Sequence, residues 1–167
     1  MLEQQLMDLA QQLGGVLLQQ HRMLVTAESC TGGWVAQAVT AIAGSSQWFE
    51  RGFVTYTNIA KQEMLGVTSA TLDTHGAVSE ATVREMVAGA LHHSHAHVAL
   101  AVSGIAGPSG GSAEKPVGMV CFAWAVKDGV AIHSKTEQLS GDRKQIRQQA
   151  VLTALQGALD ILQEHRR

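Results

Sequence analysis

The chain has 167 residues, of which 46% are hydrophobic and 16% are charged. This length fits one domain, and the hydrophobic share excludes a disordered chain. Twelve Lys and Arg against 14 Asp and Glu give a net charge of −2, which argues against a dedicated nucleic-acid-binding protein because such proteins carry a basic surplus. The low charged share predicts that some surface is buried in a homodimer or a higher homo-oligomer.

Targeting and redox signals are absent from the sequence pattern. The first turns contain Glu3 and Asp8 without a basic segment, which excludes a secretory signal. The apolar stretch Val117–Val126 is too short to cross a bilayer. Two cysteines, Cys30 and Cys121, do not make a disulfide framework. We therefore expect a cytoplasmic protein with no membrane partner.

The first third of the chain alternates predicted helices and strands. Apolar residues at helical spacing predict a helix over 2–20, followed by a short strand over Met23–Thr26. An apolar run predicts a second helix over Trp34–Ile42. β-Branched and aromatic residues then predict a strand over Gly52–Thr57.

Two helices with clear end signals follow. Asn58 is predicted to cap a short helix that ends at Gly66. Ser79 is predicted to cap a longer one, with Glu80 in its first turn, which reaches about His93.

The last third predicts the centre of a sheet, a hairpin and a final helix. The apolar segment His97–Ser103 is typical of a buried strand. Asp128–Gly129 predicts a hairpin between strands Val117–Val126 and Val130–Gln138. Asp142 is predicted to cap the last helix. Together the elements predict a single three-layer α/β/α domain with helices on both faces of a mixed sheet.

A hydroxyl-rich turn between the first strand and the second helix is the first candidate site. In it, Ser29 is placed where unpaired backbone N–H groups of the turn and the positive helix end converge. These donors would stabilise an oxyanion formed when Ser29 attacks a carbonyl. The alternative is that Ser29 or Thr31 merely caps the helix while the glycines permit close packing.

Lys61 is the second candidate. In the first turn of a helix capped by Asn58, a cation is disfavoured by the positive helix end. Partial burial favours the neutral amine as well, and a neutral amine can act as a base. A solvated surface lysine is the alternative, and only a partnership with Ser29 would exclude it.

Two further segments are suited to holding an anion. The glycine-rich loop Ser103–Gly111 leaves the carboxyl end of a strand, where ligands bind in open α/β sheets. It lacks the pattern of a P-loop, and a mobile surface loop is the alternative. Arg143 begins the last helix, with Arg147 one turn later, and a guanidinium at a helix N-terminus favours a phosphate monoester.

No metal site or cysteine nucleophile is predicted. The histidine-rich segment His92–His97 spans a helix end and the next strand, so its side chains should diverge. No histidine is placed by sequence to activate Cys30, which is interpreted as a buried packing residue.

Several separated motifs, in this order, resemble the CinA C-terminal-domain family across nearly the whole chain. They are Thr26–Gly33, Gly44–Ser46, Gly52–Tyr56, Lys61, Gly76–Ser79, Ser103–Pro108, Lys115–Gly118 and Gly141–Arg143. The resemblance implies a single domain of this type, without the molybdopterin-binding-like N-terminal domain of longer members. It also implies hydrolysis of the carboxamide of nicotinamide mononucleotide to nicotinate mononucleotide and ammonia, in pyridine nucleotide salvage, without a cofactor or a metal.

The resemblance joins the candidates into one site. Its catalytic residues would be Ser29 as nucleophile, Lys61 as base and Tyr56, which would orient that pair or contact the pyridinium ring. The substrate-binding residues would be Thr31, Gly32, Gly33, Ser103, Gly104, Ala106, Gly107 and Arg143, with Arg143 and the Ser103–Gly107 loop on the ribose phosphate. The partner is thus a small molecule and not a nucleic acid.

Three points stay open on the sequence. A catalytically silent binding paralogue and a serine–lysine hydrolase of another small amide are the alternative functions. Glu28 would pair with Lys61, balance the pyridinium charge, or form a structural hydrogen bond to its own turn.

Overall fold

A computed structural model describes residues 2–129 and 131–166. The helices are α1 (Leu2–Gln19), α2 (Trp34–Thr40), α3 (Asn58–Leu65), α4 (Ser69–His75), α5 (Glu80–His92) and α6 (Arg143–Glu164), with a short 3₁₀ turn over Ser45–Gln47. The strands are β1 (Leu24–Glu28), β2 (Phe49–Val54), β3 (Val98–Gly104), β4 (Met119–Val126) and β5 (Ile132–Gln138). The strand order is β2-β1-β3-β4-β5.

The sheet is mixed, as predicted. β1 runs parallel to both β2 and β3, whereas β3, β4 and β5 pair antiparallel. The carboxyl ends of β1, β2 and β3 therefore lie along the same edge, where Glu28 pairs with Val54 on one side and Val102 on the other.

Two apolar clusters, one on each face of the sheet, confirm the three-layer architecture. One contains the buried side chains of α1, α2 and α6, such as Leu13 and Leu155. The other contains those of α3, α4 and α5, such as Leu65 and Met86. Alternate residues of β3 enter opposite clusters, as Leu100 and Ala99 do, because side chains along a strand alternate between faces. Within the described residues, no helix is both long and apolar enough to span a bilayer.

Several predicted boundaries agree with the structure. Ser79 accepts a hydrogen bond from the Thr82 N–H at the start of α5. Asp142 accepts from the Gln145 N–H, and Gln145 returns a bond to the Asp142 N–H, a reciprocal cap for α6. The predicted hairpin forms between β4 and β5, although the residue predicted to begin its second strand, Val130, lies outside the described residues.

Two predictions for residues 49–75 were wrong, and one helix there was missed. The cap of α3 is Thr57, whose hydroxyl accepts from the Ala60 N–H, so Asn58 is the first helical residue. Helix α4 was not predicted, because its seven residues are too few for a clear period. Finally, β2 ends at Val54, which leaves the backbone of Thr55 and Tyr56 outside the strand and free to bond elsewhere.

Candidate active site

A cavity of about 240 Å³ lies beyond the carboxyl ends of β1 and β3. It is lined by a serine, a lysine, an arginine, the single tyrosine and the glycine-rich loop: Ser29, Cys30, Tyr56, Lys61, Ala77, Val78, Ser103, Gly104, Ile105, Ala106, Gly107, Ser109, Gly110 and Arg143. Eight of the eleven residues predicted for the site line it, and Thr31, Gly32 and Gly33 do not. This is the strand edge at which open α/β sheets bind ligands.

Lys61 and Ser29 are in direct contact in this cavity. The Lys61 Nζ lies 2.9 Å from the Ser29 Oγ, although 32 positions separate the two residues in sequence. Lys61 is only 1% exposed, so it is not a solvated surface lysine. Its Nζ also donates to the backbone carbonyls of Thr55 at 2.9 Å and Tyr56 at 3.3 Å.

Burial lowers the pKa of Lys61 from 10.5 to about 8, because desolvation penalises the charged ammonium. The carbonyls of Thr55 and Tyr56 can only accept hydrogen bonds. The Lys61 Nζ also donates to the Ser29 Oγ, and the Ser29 hydroxyl in turn donates to the Tyr56 carbonyl at 3.4 Å. These contacts hold the Lys61 Nζ beside the Ser29 Oγ.

The local chain path explains why the lysine reaches the serine. Because β2 stops at Val54, Thr55 and Tyr56 turn away from the sheet, and the Thr55 N–H still donates to the Glu28 carbonyl at 2.8 Å. Thr57 then caps α3, and Lys61 is the fourth residue of that helix. The Lys61 side chain lies next to the turn that carries Ser29. The Ser29 N–H donates to the Val102 carbonyl at 3.0 Å, which fixes the nucleophile candidate to β3.

Glu28 organises the turn that carries Ser29. Its buried carboxylate accepts from the Thr31 hydroxyl at 2.6 Å and from the N–H groups of Gly33, Val35 and Ala36 at 3.3, 2.8 and 3.0 Å. A carboxylate at the N-terminus of α2 satisfies donors that the helix leaves unpaired. Of the three roles considered for Glu28, the structural hydrogen bond to its own turn is the one observed.

The predicted oxyanion donors at this turn need correction. The Gly33 N–H donates to Glu28, and the Gly32 N–H donates to the Ser29 carbonyl at 3.0 Å. Thr31 is fully buried, with its hydroxyl on Glu28. These groups serve the turn and the start of α2, but neither Ser29 nor Thr31 caps that helix, whose N-cap is Gly33 without a side-chain hydrogen bond.

Arg147 holds the other side of the same turn. Its Nε donates to the Cys30 carbonyl at 3.0 Å and its Nη2 to the Thr31 carbonyl at 3.2 Å. The guanidinium carbon lies 5.4 Å from the centre of the Trp34 ring, a cation–π distance. Sequence reasoning gave Arg147 no role in the turn, because its partners are more than 110 positions away.

Arg143 and Tyr56 form the outer wall of the cavity. The Arg143 Nη1 donates to the Gly107 carbonyl at 2.9 Å, and its Nη2 donates to the Tyr56 hydroxyl at 3.2 Å. The phenol ring is 57% exposed, so it is open to a ligand. Tyr56 therefore contributes in two ways: its carbonyl contacts Lys61 and its side chain supports Arg143.

Cys30 lines the cavity but is poorly suited to nucleophilic attack. Burial raises the pKa of its thiol to about 12, and the nearby guanidinium of Arg147 offsets only part of that. A thiol with such a pKa is almost entirely protonated near neutral pH, and the thiolate is the reactive form.

The histidines of residues 92–97 diverge only in part, because His97 contacts Met23 while the rings of His92 and His93 stay together. His97 Nδ1 accepts the Met23 N–H at 3.0 Å. The rings of His92 and His93 lie 4.9 Å apart at the exposed end of α5.

The residues predicted from the sequence omitted part of the cavity lining. Ala77 and Val78 line the cavity from the segment before α5, and Ser109 and Gly110 from the glycine-rich loop. Ala77 and Val78 belong to a motif already noted for its resemblance, but no residue chemistry marked them as lining residues.

A larger hollow of about 380 Å³ lies between α5 and the β4–β5 hairpin. Its described lining contains no serine and no lysine–hydroxyl pair.

Comparisons with known proteins point to one group. The profile of the CinA C-terminal domain matches residues 6–162. The chain is 55% identical over 159 residues to the nicotinamide-nucleotide amidohydrolase PncC of Enterobacter agglomerans, covering 95% of this chain and 96% of that protein. It is also 55% identical to the PncC of Escherichia coli K12, over 93% of this chain and 94% of that one.

A solved structure has the same fold. The competence/damage inducible protein CihA of Agrobacterium tumefaciens superposes with a TM-score of 0.92 at 47% identity, over 94% of this chain and 95% of its own. The fold and the sequence matches therefore agree over nearly the full length.

Proposed function

We propose, on the premise that this chain belongs to the CinA C-terminal domain family, that it hydrolyses the carboxamide of nicotinamide mononucleotide. The relatives at 55% identity are named nicotinamide-nucleotide amidohydrolases. The observation that carries the proposal for this chain is the 2.9 Å contact between Lys61 Nζ and Ser29 Oγ in a cavity bordered by Arg143. The products are nicotinate mononucleotide and ammonia, an activity suited to pyridine nucleotide salvage.

The first half of the reaction forms an ester on Ser29. The neutral Lys61 amine removes the hydroxyl proton while Ser29 Oγ attacks the carboxamide carbon. Lys61, now an ammonium, gives that proton to the amide nitrogen as the carbon–nitrogen bond breaks. Ammonia leaves, and the nicotinoyl group remains on the serine.

The second half releases the acid. Water takes the place of ammonia, Lys61 removes one of its protons, and the resulting hydroxide attacks the ester carbon. The Ser29 oxygen leaves and recovers the proton from Lys61, which returns both groups to their starting state. Each proton taken up by Lys61 is returned, and the proposed scheme uses only groups of this chain and water.

Other N–H groups replace the predicted oxyanion donors. Ala106 and Gly107 line the cavity, and among the described residues no backbone acceptor pairs with either N–H. We assign the developing oxyanion to this loop rather than to Gly32 and Gly33. Preorganised N–H donors at such a position stabilise the tetrahedral intermediate by several kcal/mol.

The phosphate end of the substrate is assigned to Arg143. Its guanidinium is held by Gly107 and Tyr56 at the mouth of the cavity, at the N-terminus of α6. A guanidinium attracts a phosphate monoester through charge-assisted hydrogen bonds. With the phosphate there, the nicotinamide ring points inward toward Ser29.

Ammonia release from nicotinamide mononucleotide by the purified protein tests the function. We expect turnover by the wild type and none by Ser29→Ala, with the ester on Ser29 visible by mass spectrometry after rapid acid quench. Ser46→Ala, which changes an exposed serine outside the cavity, is the matched control and keeps full activity. No release by a folded wild type favours a silent binding paralogue. Release from simple amides but not from the mononucleotide favours a hydrolase of another amide.

A further inference from the structure

A second cluster of reactive side chains lies at the opposite end of α6. His133 is on the edge strand β5, Glu164 is the last residue of α6, and His165 follows it. One ligand atom from each of the three lies within 4.8 Å of the others. Because α6 has 22 residues and rises about 1.5 Å per residue, this cluster is about 30 Å from Arg143 at the other end of the helix.

We propose that His133, Glu164 and His165 bind one divalent transition-metal cation, and that Zn²⁺ suits the set best. Two imidazoles and one carboxylate, with a position left for water, form a ligand set that zinc accepts readily. The proposed site is separate from the amidase chemistry and does not depend on it.

The geometry is close to that of a loaded site. His133 Nε2 lies 3.9 Å from Glu164 Oε2, and the two imidazole centroids are 5.9 Å apart. Zinc bonds of about 2.0–2.2 Å bring ligand atoms to about 3.3 Å of one another. The side chains of His133 and Glu164 are 46% and 62% exposed, so rotation about their own bonds closes the difference without moving the backbone.

The surroundings favour a cation and hold the backbone in place. The site is at the C-terminal end of a long helix, where the helix dipole is negative. Asp160, one turn before Glu164, lines a surface hollow together with His133 and Glu164 and adds a carboxylate. The nearby positive charge of Lys135 is directed to Glu137, with its Nζ 3.1 Å from that carboxylate. The buried Arg22 donates to the His165 carbonyl, which anchors the chain just after α6.

A bound ion would link the edge strand β5 to the end of α6. In the described structure these two elements meet there through the long 3.9 Å contact between His133 and Glu164 and through the packing of the two imidazoles. Bonds to a metal would hold the strand and the helix together, so we expect the folded state to be stabilised when the metal is present.

Zinc titration of protein without an affinity tag tests the site. By calorimetry we expect one Zn²⁺ per chain, and His133→Ala and His165→Ala each weaken binding about tenfold or more. Zinc raises the Tm of the wild type and not that of His133→Ala. His92→Ala, which removes an exposed histidine beside His93 on α5, is the matched control and binds zinc as the wild type does.

Three results would overturn the proposal. They are wild-type protein that binds no zinc, His133→Ala that binds zinc as tightly as the wild type, and His92→Ala that loses as much affinity as His133→Ala. Circular dichroism of each variant shows that it is folded. Ammonia release is expected to be the same in all of them, because the cluster lies at the far end of α6.

Discussion

The protonation of Lys61 gives the sharpest prediction for the amidase. Because burial lowers its pKa to about 8, about one lysine in ten is neutral at pH 7. We expect kcat/KM for nicotinamide mononucleotide to rise about tenfold per pH unit below 7, bend near pH 8 and level off above it. Initial rates of ammonia release between pH 6 and pH 10 measure the curve. A profile that is flat or falls over this range would refute the base assignment.

Lys61→Arg removes the neutral form while keeping the charge, because a guanidinium stays protonated. We expect the rate to fall by a factor of about 10² to 10⁴, the usual contribution of a general base. Circular dichroism checks that the variant is folded. An arginine variant within tenfold of the wild type at pH 7 would show that Lys61 acts by its charge alone.

The same burial also affects stability. A pKa lowered from 10.5 to about 8 corresponds to about 3 kcal/mol. Between pH 8 and 10.5 the unfolded chain holds more protons on this lysine than the folded protein does, so its contribution to the free energy of unfolding rises across that window. Below pH 8 both states are protonated and the penalty of burying the charge is present in full.

Urea unfolding of the wild type and of Lys61→Met at several pH values isolates this contribution, since other groups titrate alike in both. We expect the difference in free energy of unfolding, wild type minus variant, to increase by up to about 3 kcal/mol from pH 7.5 to 10.5. Parallel curves would mean that Lys61 keeps an ordinary pKa in the folded protein.

Three further changes test the phosphate contact, the phenol and the packing. Arg143→Ala should raise KM for the mononucleotide about tenfold or more and leave KM for the nucleoside nearly unchanged. An equal rise in KM for both substrates would exclude a phosphate contact. Tyr56→Phe should keep kcat within about threefold, because the carbonyl that contacts Lys61 is unchanged, and a hundredfold loss would make the phenol a reactant. In Gly89→Ala the new Cβ would clash with the Leu65 carbonyl oxygen, so urea unfolding should show a free energy of unfolding lower by about 2 kcal/mol or more. In Gly15→Ala the new Cβ meets no atom within 4 Å, so the free energy of unfolding should not fall.

Local patterns in the sequence predicted most of the secondary structure. The caps at Ser79 and Asp142, and the Asp128–Gly129 hairpin, depend on contacts within a few residues, so they could be read without the fold. Helix α4 and the true end of β2 could not. Both depend on packing against distant elements, such as the anchoring of α4 by Glu85, which accepts from the Thr68 N–H at 2.9 Å.

The chemistry of the site divides in the same way. The residue types alone indicated a hydroxyl turn, a lysine near a helix start and an arginine at another, and the resemblance joined them before any distance was known. Neither source indicated that Gly32 and Gly33 use their N–H groups within the turn, because that depends on where the Glu28 carboxylate lies.

The sequence by itself determined the layered α/β architecture, since hydrophobic period and turn residues are local properties of the chain. Only the tertiary structure decided that Lys61 is buried and 2.9 Å from Ser29. The physical reason is that desolvation and hydrogen-bond geometry belong to groups brought together from separate elements. A lysine's pKa depends on what surrounds it, and those surroundings exist only after β1, β2 and α3 have packed.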